Sequence, residues 1–179
     1  MNKTYIILLC LSLAISGMFA QDSVEEEPKE HRMLDANQLE SAKWYYDINE
    51  ALKDPENVYK LSLEGKKLKA LPAELSKLPH IQVLNLNNNK FKELPPEIGD
   101  LRHLQHLYIY NNRLRAVPKQ LKDLRHLESL YLGKNRLVEV PTWVGGLGRL
   151  RTLDVSFNRL TPYQIEKVAV KLPRCNVTH

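Results

Sequence analysis

Apolar residues return along this chain at a fixed interval, and that interval constrains the fold more than any other feature. From Val58 the sequence repeats every 23 residues, with units beginning at Val58, Ile81, Leu104, Leu127 and Leu150. Apolar residues fall at unit positions 1, 4, 6, 11, 14, 18 and 21. The first unit supplies Val58, Leu61, Leu63, Leu68, Leu71, Leu75 and Leu78; the second supplies Ile81, Leu84, Leu86, Phe91, Leu94, Ile98 and Leu101. Across four units all 28 such places are apolar, against a hydrophobic fraction of 43%, which chance does not produce. One unit this short cannot close a core, so successive coils must stack and share one.

Each coil can be read locally. Leu84-x-Leu86, Leu107-x-Ile109 and Leu130-x-Leu132 alternate with the period of a strand. Stacking then places the strands in a parallel ladder about 4.8 Å apart. Asn89, Asn112, Asn135 and Asn158 follow the strands, where their amides can satisfy turn backbone inside the coil as a ladder. Pro72, Pro95, Pro118 and Pro141 fix φ where the chain turns back, and the few residues left predict short helical turns rather than long helices.

Together these residues spell L-x-x-L-x-L-x-x-N-x-L-x-x-L-P, which resembles the leucine-rich-repeat superfamily across residues 58–172. The 23-residue period, with Leu-Pro and then x-x-Leu/Ile-x-x-Leu, is similar to the Ras-suppressor-like subclass and to secreted bacterial repeat proteins. The lead-in from Ala51 to Leu61 also resembles that of bacterial members. The expected fold is an α/β solenoid with a parallel concave β-sheet, short helical turns on the convex side and helical caps at both ends.

The caps have their own signals. Leu39, Ala42, Tyr45, Ile48, Ala51 and Leu52 lie at helical spacing and Asp54-Pro55 ends the run, so residues 36–57 are expected to be a capping helix. In the fifth unit Thr161-Pro162-Tyr163-Gln164 reads as a capping box with proline at the first helical position, followed by an Ile165, Val168, Ala169 and Leu172 stripe. Residues 58–172 are thus five repeats, the last a helical cap, and 173–179 a C-terminal tail in which Cys175 and Val177 are spaced to finish the ladder.

Upstream, Lys3, the apolar run Ile6 to Ile15 broken only by Ser12, and the small residues Ser16, Gly17 and Ala20 read as a signal peptide over 1–20. The alternative is an uncleaved anchor. Cleavage after Ala20 predicts an exported protein, periplasmic or secreted, with no transmembrane segment remaining. Cys10 leaves with the signal, so Cys175 has no intramolecular partner and is a reactive thiol, an intermolecular link or a small buried hydrophobe. Residues 21–35 form an expected acidic flexible tail. Residues 21–57 carry 11 acids and 4 bases, whereas 58–179 carry 21 bases and 10 acids, so an acidic lead-in precedes a basic body.

Unit positions 3, 5 and 7 are expected to project from the concave sheet. There His106, Tyr108, Tyr110 and Tyr131 cluster beside Asp154 and Phe157, and exposed aromatics suit protein binding. The blander alternative is that tyrosine is simply a good strand former on a solvated face. Position 10 is basic throughout, as Lys67, Lys90, Arg113, Arg136 and Arg159, a strip for a polyanion such as an anionic glycan or lipid headgroup, or a solvating edge. Nucleic acid is a poor version of that partner, since export removes the chain from most of it. His80, His103 and His126 recur at position 23 but lack a carboxylate or thiol at ligand spacing, and read as surface loop residues. His106, Ser129 and Asp154 occur in the wrong order for a nucleophilic set, and no phosphate-binding or metalloenzyme motif appears. The reading is therefore a binding module, not an enzyme, with no cofactor; a structural or adhesive envelope component is the remaining alternative.

Overall fold

The computed structural model describes residues 33–179. The expected signal peptide, 1–20, and most of the acidic tail, 21–35, lie outside the described residues. Within them, seven strands form one parallel sheet in sequence order: β1 (Trp44–Tyr45), β2 (Lys60–Ser62), β3 (Val83–Asn85), β4 (His106–Tyr108), β5 (Ser129–Tyr131), β6 (Thr152–Asp154) and β7 (Asn176–Thr178). The register advances by one repeat per strand, pairing Leu61 with Leu84, Leu107 with Leu130 and Leu130 with Leu153.

The leucine periodicity becomes the core. Of its 28 positions all but Leu68 and Leu71, in the first coil, are buried, and those two still pack on the core. Each large apolar side chain removed from water contributes about 1.5–3 kcal/mol. The four prolines sit in extended conformation with φ between −70° and −60°, and each carbonyl accepts a bond from the residue three on: Leu75, Ile98, Leu121 and Val144. The convex turns are accordingly single 3-10 stretches, Ala73–Lys77, Pro96–Asp100, Lys119–Asp123 and Thr142–Gly146.

The asparagine ladder is continuous. The Asn135 Nδ2 donates to the carbonyls of Ile109 (2.9 Å) and Leu132 (3.0 Å), while its Oδ1 accepts from the Leu114 N–H (2.9 Å). Asn89, Asn112 and Asn158 repeat the pattern one coil apart. Each amide thus stitches its own coil to the preceding one.

The caps differ in detail from the sequence reading. Residues 36–57 are not one helix. They form α1 (Ala36–Ser41), strand β1, α2 (Ile48–Ala51) and a 3-10 turn at Pro55–Asn57. The Asp47 carboxylate is the reason for the break: it caps the Asn49 and Glu50 N–H groups, starting a second helix where a continuous one would have run through. Trp44 and Tyr45, aromatic and strand-favouring, then pair with Lys60 and Leu61 instead. At the other end α3 (Pro162–Lys171) has the expected reciprocal Thr161–Gln164 capping box. Residues 173–179 are more than a tail, because β7 extends the ladder, with Val177 beside Leu153; Cys175 lies just before that strand.

Candidate binding face

The ladder register determines which side chains meet on the open side of the sheet. Tyr108 lies beside Tyr131, and Tyr131 beside Asp154. The two tyrosine rings stack with centroids 4.8 Å apart and planes 7° apart. That separation equals the spacing of neighbouring strands, so the rings stand like steps along the ladder. Burial pushes the Tyr108 hydroxyl above its usual pKa, and the nearby Tyr131 adds to the shift.

Gly133 closes this cluster. A Cβ there would lie 2.7 Å from Asp154 Oδ2, 2.9 Å from Ser156 Oγ and 2.9 Å from Tyr110 Cδ2. The missing side chain is what lets the Tyr110 ring and the Asp154 carboxylate converge over the backbone. Tyr110 is also held from below, its N–H donating to Asn87 Oδ1 at 2.7 Å.

The two carboxylates of the face differ. Glu64 is consumed by amides, one oxygen accepting from Asn85 Nδ2 at 2.9 Å and the other from Asn88 Nδ2. Asp154 spends Oδ1 on the Ser156 N–H at 2.8 Å. Its Oδ2 makes no hydrogen bond or ion pair among the described residues. Beyond Lys60, no concave position 3, 5 or 7 of the five units holds a lysine or arginine.

Position 3 does not project as the sequence suggests. Lys60, Val83 and Ser129 are buried and His106 half-buried. For Lys60 the cause is α1: its Nζ donates to the carbonyls of Leu39 (3.0 Å) and Glu40 (2.9 Å) at the C-terminal end of that helix, where a cation is favoured. A cavity of about 440 Å³ remains between this cap and the sheet, lined by Leu39, Trp44, Lys60, His106, Tyr108 and Glu128 among others. Burial lowers the His106 pKa, partly offset by Glu128, and its buried Nδ1 has no hydrogen-bond partner among the described residues. His106 and Ser129 are register neighbours, but no hydrogen bond joins them as a nucleophile and base.

Phe157 stands apart from the tyrosines, making no ring contact with them among the described residues. It occupies position 8, where the backbone of every unit is left-handed: Gly65, Asn88, Asn111, Lys134 and Phe157 have φ of 69°, 58°, 55°, 54° and 53°. A phenylalanine in that conformation, 77% exposed, is an outlier. Along the basic edge Lys67, Arg113, Arg136 and Arg159 are exposed and Lys90 is half-buried, with no ion pair to any of them among the described residues. The histidine column is not uniformly a surface feature. His80 is buried, stacked between Tyr59 and His103, with Nε2 3.0 Å from Glu56 Oε2. Among the described residues no group of three His, Cys, Asp or Glu is placed to hold a metal ion.

The family described as leucine-rich repeat region matches residues 52–171. The chain belongs to the leucine-rich-repeat family. Folds of this family generally mediate protein–protein interaction and are typically non-enzymatic binding modules. No curated protein is significantly similar to it. Among solved structures, a TLR13–ssRNA13 complex superposes with a TM-score of 0.61 at 20% identity, over 75% of this chain and 20% of that one. An internalin, InlF, from Listeria monocytogenes gives 0.56 at 22% identity, over 75% of this chain and 38% of that one. The BIR3–SERK2 complex from Arabidopsis thaliana gives 0.54 at 28% identity, over 59% of each chain. The leucine-rich-repeat chain here spans between a fifth and three-fifths of those structures' lengths. No helix among the described residues is long and apolar enough to cross a membrane.

Proposed function

We propose that this protein is an exported binding module of the 23-residue Ras-suppressor-like subclass that grips a protein partner with its concave face. The observation that carries the reading is the Tyr108–Tyr131 stack, half-exposed at the centre of the sheet and continued by Tyr110 and Asp154. Stacked rings held by a rigid ladder offer large contact area with little entropy left to lose. His106 forms the inner wall beside α1, and the strained, exposed Phe157 supplies an apolar anchor at the rim. Export, to a bacterial periplasm or beyond, rests on the signal-like residues 1–20.

One observation favours a second reading. The column Lys67, Lys90, Arg113, Arg136 and Arg159 has no acidic partner among the described residues, as a polyanion site would require. The two are separated by titrating a partner captured with the full chain. Concave-face binding is abolished by Tyr108→Ala with Tyr131→Ala and changes little with salt. Polyanion binding is abolished by Arg113→Ala with Arg136→Ala and falls linearly in log affinity against log salt. Binding that survives the tyrosine pair overturns the first reading.

A further inference from the structure

We infer that the partner presents a basic side chain, an arginine or lysine, to a cation subsite made by Asp154, Tyr131 and Tyr110. This rests on the concave-face reading above and adds the chemistry of what that face takes. Tyr108 covers one face of the Tyr131 ring, and the stack runs along the ladder, so the other face is directed at the next residue in register, Asp154. An aromatic face attracts a cation through its quadrupole. The Asp154 Oδ2 lies over Gly133 beside the Tyr110 ring edge, with no cation or donor among the described residues satisfying it. Glu64, the other carboxylate of the face, has both oxygens occupied by amides and offers no such vacancy for charge. The other concave residues, among them the half-buried Asn85, Asn87, Thr152 and Ser156, are neutral, and the single lysine of those rows, Lys60, is buried and committed to α1. The face is therefore locally anionic and aromatic on a body whose residues 58–179 carry 21 bases against 10 acids. A guanidinium or ammonium fits that combination; a carboxylate or phosphate does not.

The basic body supplies an internal control. Unspecific attraction by this protein enriches acidic sequences, so enrichment of basic ones must come from a local site. The experiment selects a random linear peptide library on the immobilised full chain, then titrates the recovered peptides against the wild type and the variants Asp154→Asn and Tyr108→Ala/Tyr131→Ala. Asp154→Asn retains an oxygen for the Ser156 N–H, and equal unfolding midpoints for it and the wild type establish that it is folded. The expected result is peptides enriched in Arg or Lys, lost on the tyrosine pair and weakened about ten- to hundredfold by Asp154→Asn. Replacing the basic residue of the peptide by norleucine produces a similar loss, and that loss largely disappears in Asp154→Asn. Peptides that need the tyrosines but show no basic residue, or that bind Asp154→Asn as tightly as wild type, overturn the cation subsite and leave the concave-face reading standing. Acidic peptides that ignore the tyrosine pair and are lost on Arg113→Ala/Arg136→Ala overturn both.

Discussion

Replacing Asn135 by alanine tests the ladder that holds the coils in register. Asn135 is 8% exposed, in the middle of the stack. Its Oδ1 accepts the Leu114 N–H at 2.9 Å, and no backbone acceptor takes that N–H. Its Nδ2 donates to the carbonyls of Ile109 and Leu132 at 2.9 and 3.0 Å. Those carbonyls keep a second donor in Asn112 and Asn158 respectively, so the substitution weakens them without orphaning them. The Leu114 N–H, by contrast, is left buried and unpaired, at about 1–3 kcal/mol. Adding about 0.5–1.5 kcal/mol for each of the two lost amide bonds gives a destabilisation of about 2–6 kcal/mol. Asn135→Asp keeps the acceptor but sets a carboxylate against two carbonyls, and is expected to be at least as damaging. Urea unfolding of the full chain followed by circular dichroism measures the change, and hydrogen exchange localises it to the Leu114 amide. A loss below about 0.5 kcal/mol, or a Leu114 amide as protected as in the wild type, refutes the view that this side chain couples the coils.

Phe157→Asn places a residue that tolerates left-handed backbone where phenylalanine is strained, and is expected to leave stability unchanged or raise it by about 1 kcal/mol while weakening the partner complex; calorimetry and titration on one preparation read both. Burial holds the His106 pKa below its ordinary 6.5, so the unfolded chain binds the proton first. Its contribution to stability is complete above pH 6.5 and is lost as pH falls below that value, and His106→Gln should flatten that part of a stability–pH profile. Burial raises the Cys175 thiol pKa, so alkylation at pH 8 should run slower than for a free cysteine thiol in an unfolded control.

What could be read ahead of the structure follows from the range of each interaction. The leucine positions, the asparagine ladder and the Thr161 capping box depend on neighbours at fixed sequence offsets, and the periodicity encodes them directly. The N-terminal cap was not legible in that way. Leu39, Tyr45 and Ile48 keep helical spacing, yet Trp44 and Tyr45 find their strand partners in Lys60 and Leu61, beyond any local pattern. The capping role of Asp47 was the available signal against a continuous helix. The burial of Lys60 depends on where α1 comes to rest, which repeat position alone does not convey. The tyrosine cluster was legible as a column, because register places Tyr108 beside Tyr131. Its closure onto Asp154 depends on Gly133, whose signal was a glycine in a column that otherwise holds Glu64, Asn87, Tyr110 and Ser156. Phe157 was grouped with that cluster by proximity in sequence, but its left-handed backbone turns it into a rim residue.

Covalent footprinting of the tyrosines and arginines, with and without bound partner, puts the assigned surface to the most immediate test. Tyr108, Tyr110 and Tyr131 are expected to be modified in the free protein and protected in the complex, while Arg113 and Arg136 react equally in both. Protection of the arginines with unchanged tyrosines would contradict that assignment, as would tyrosines that never react at all.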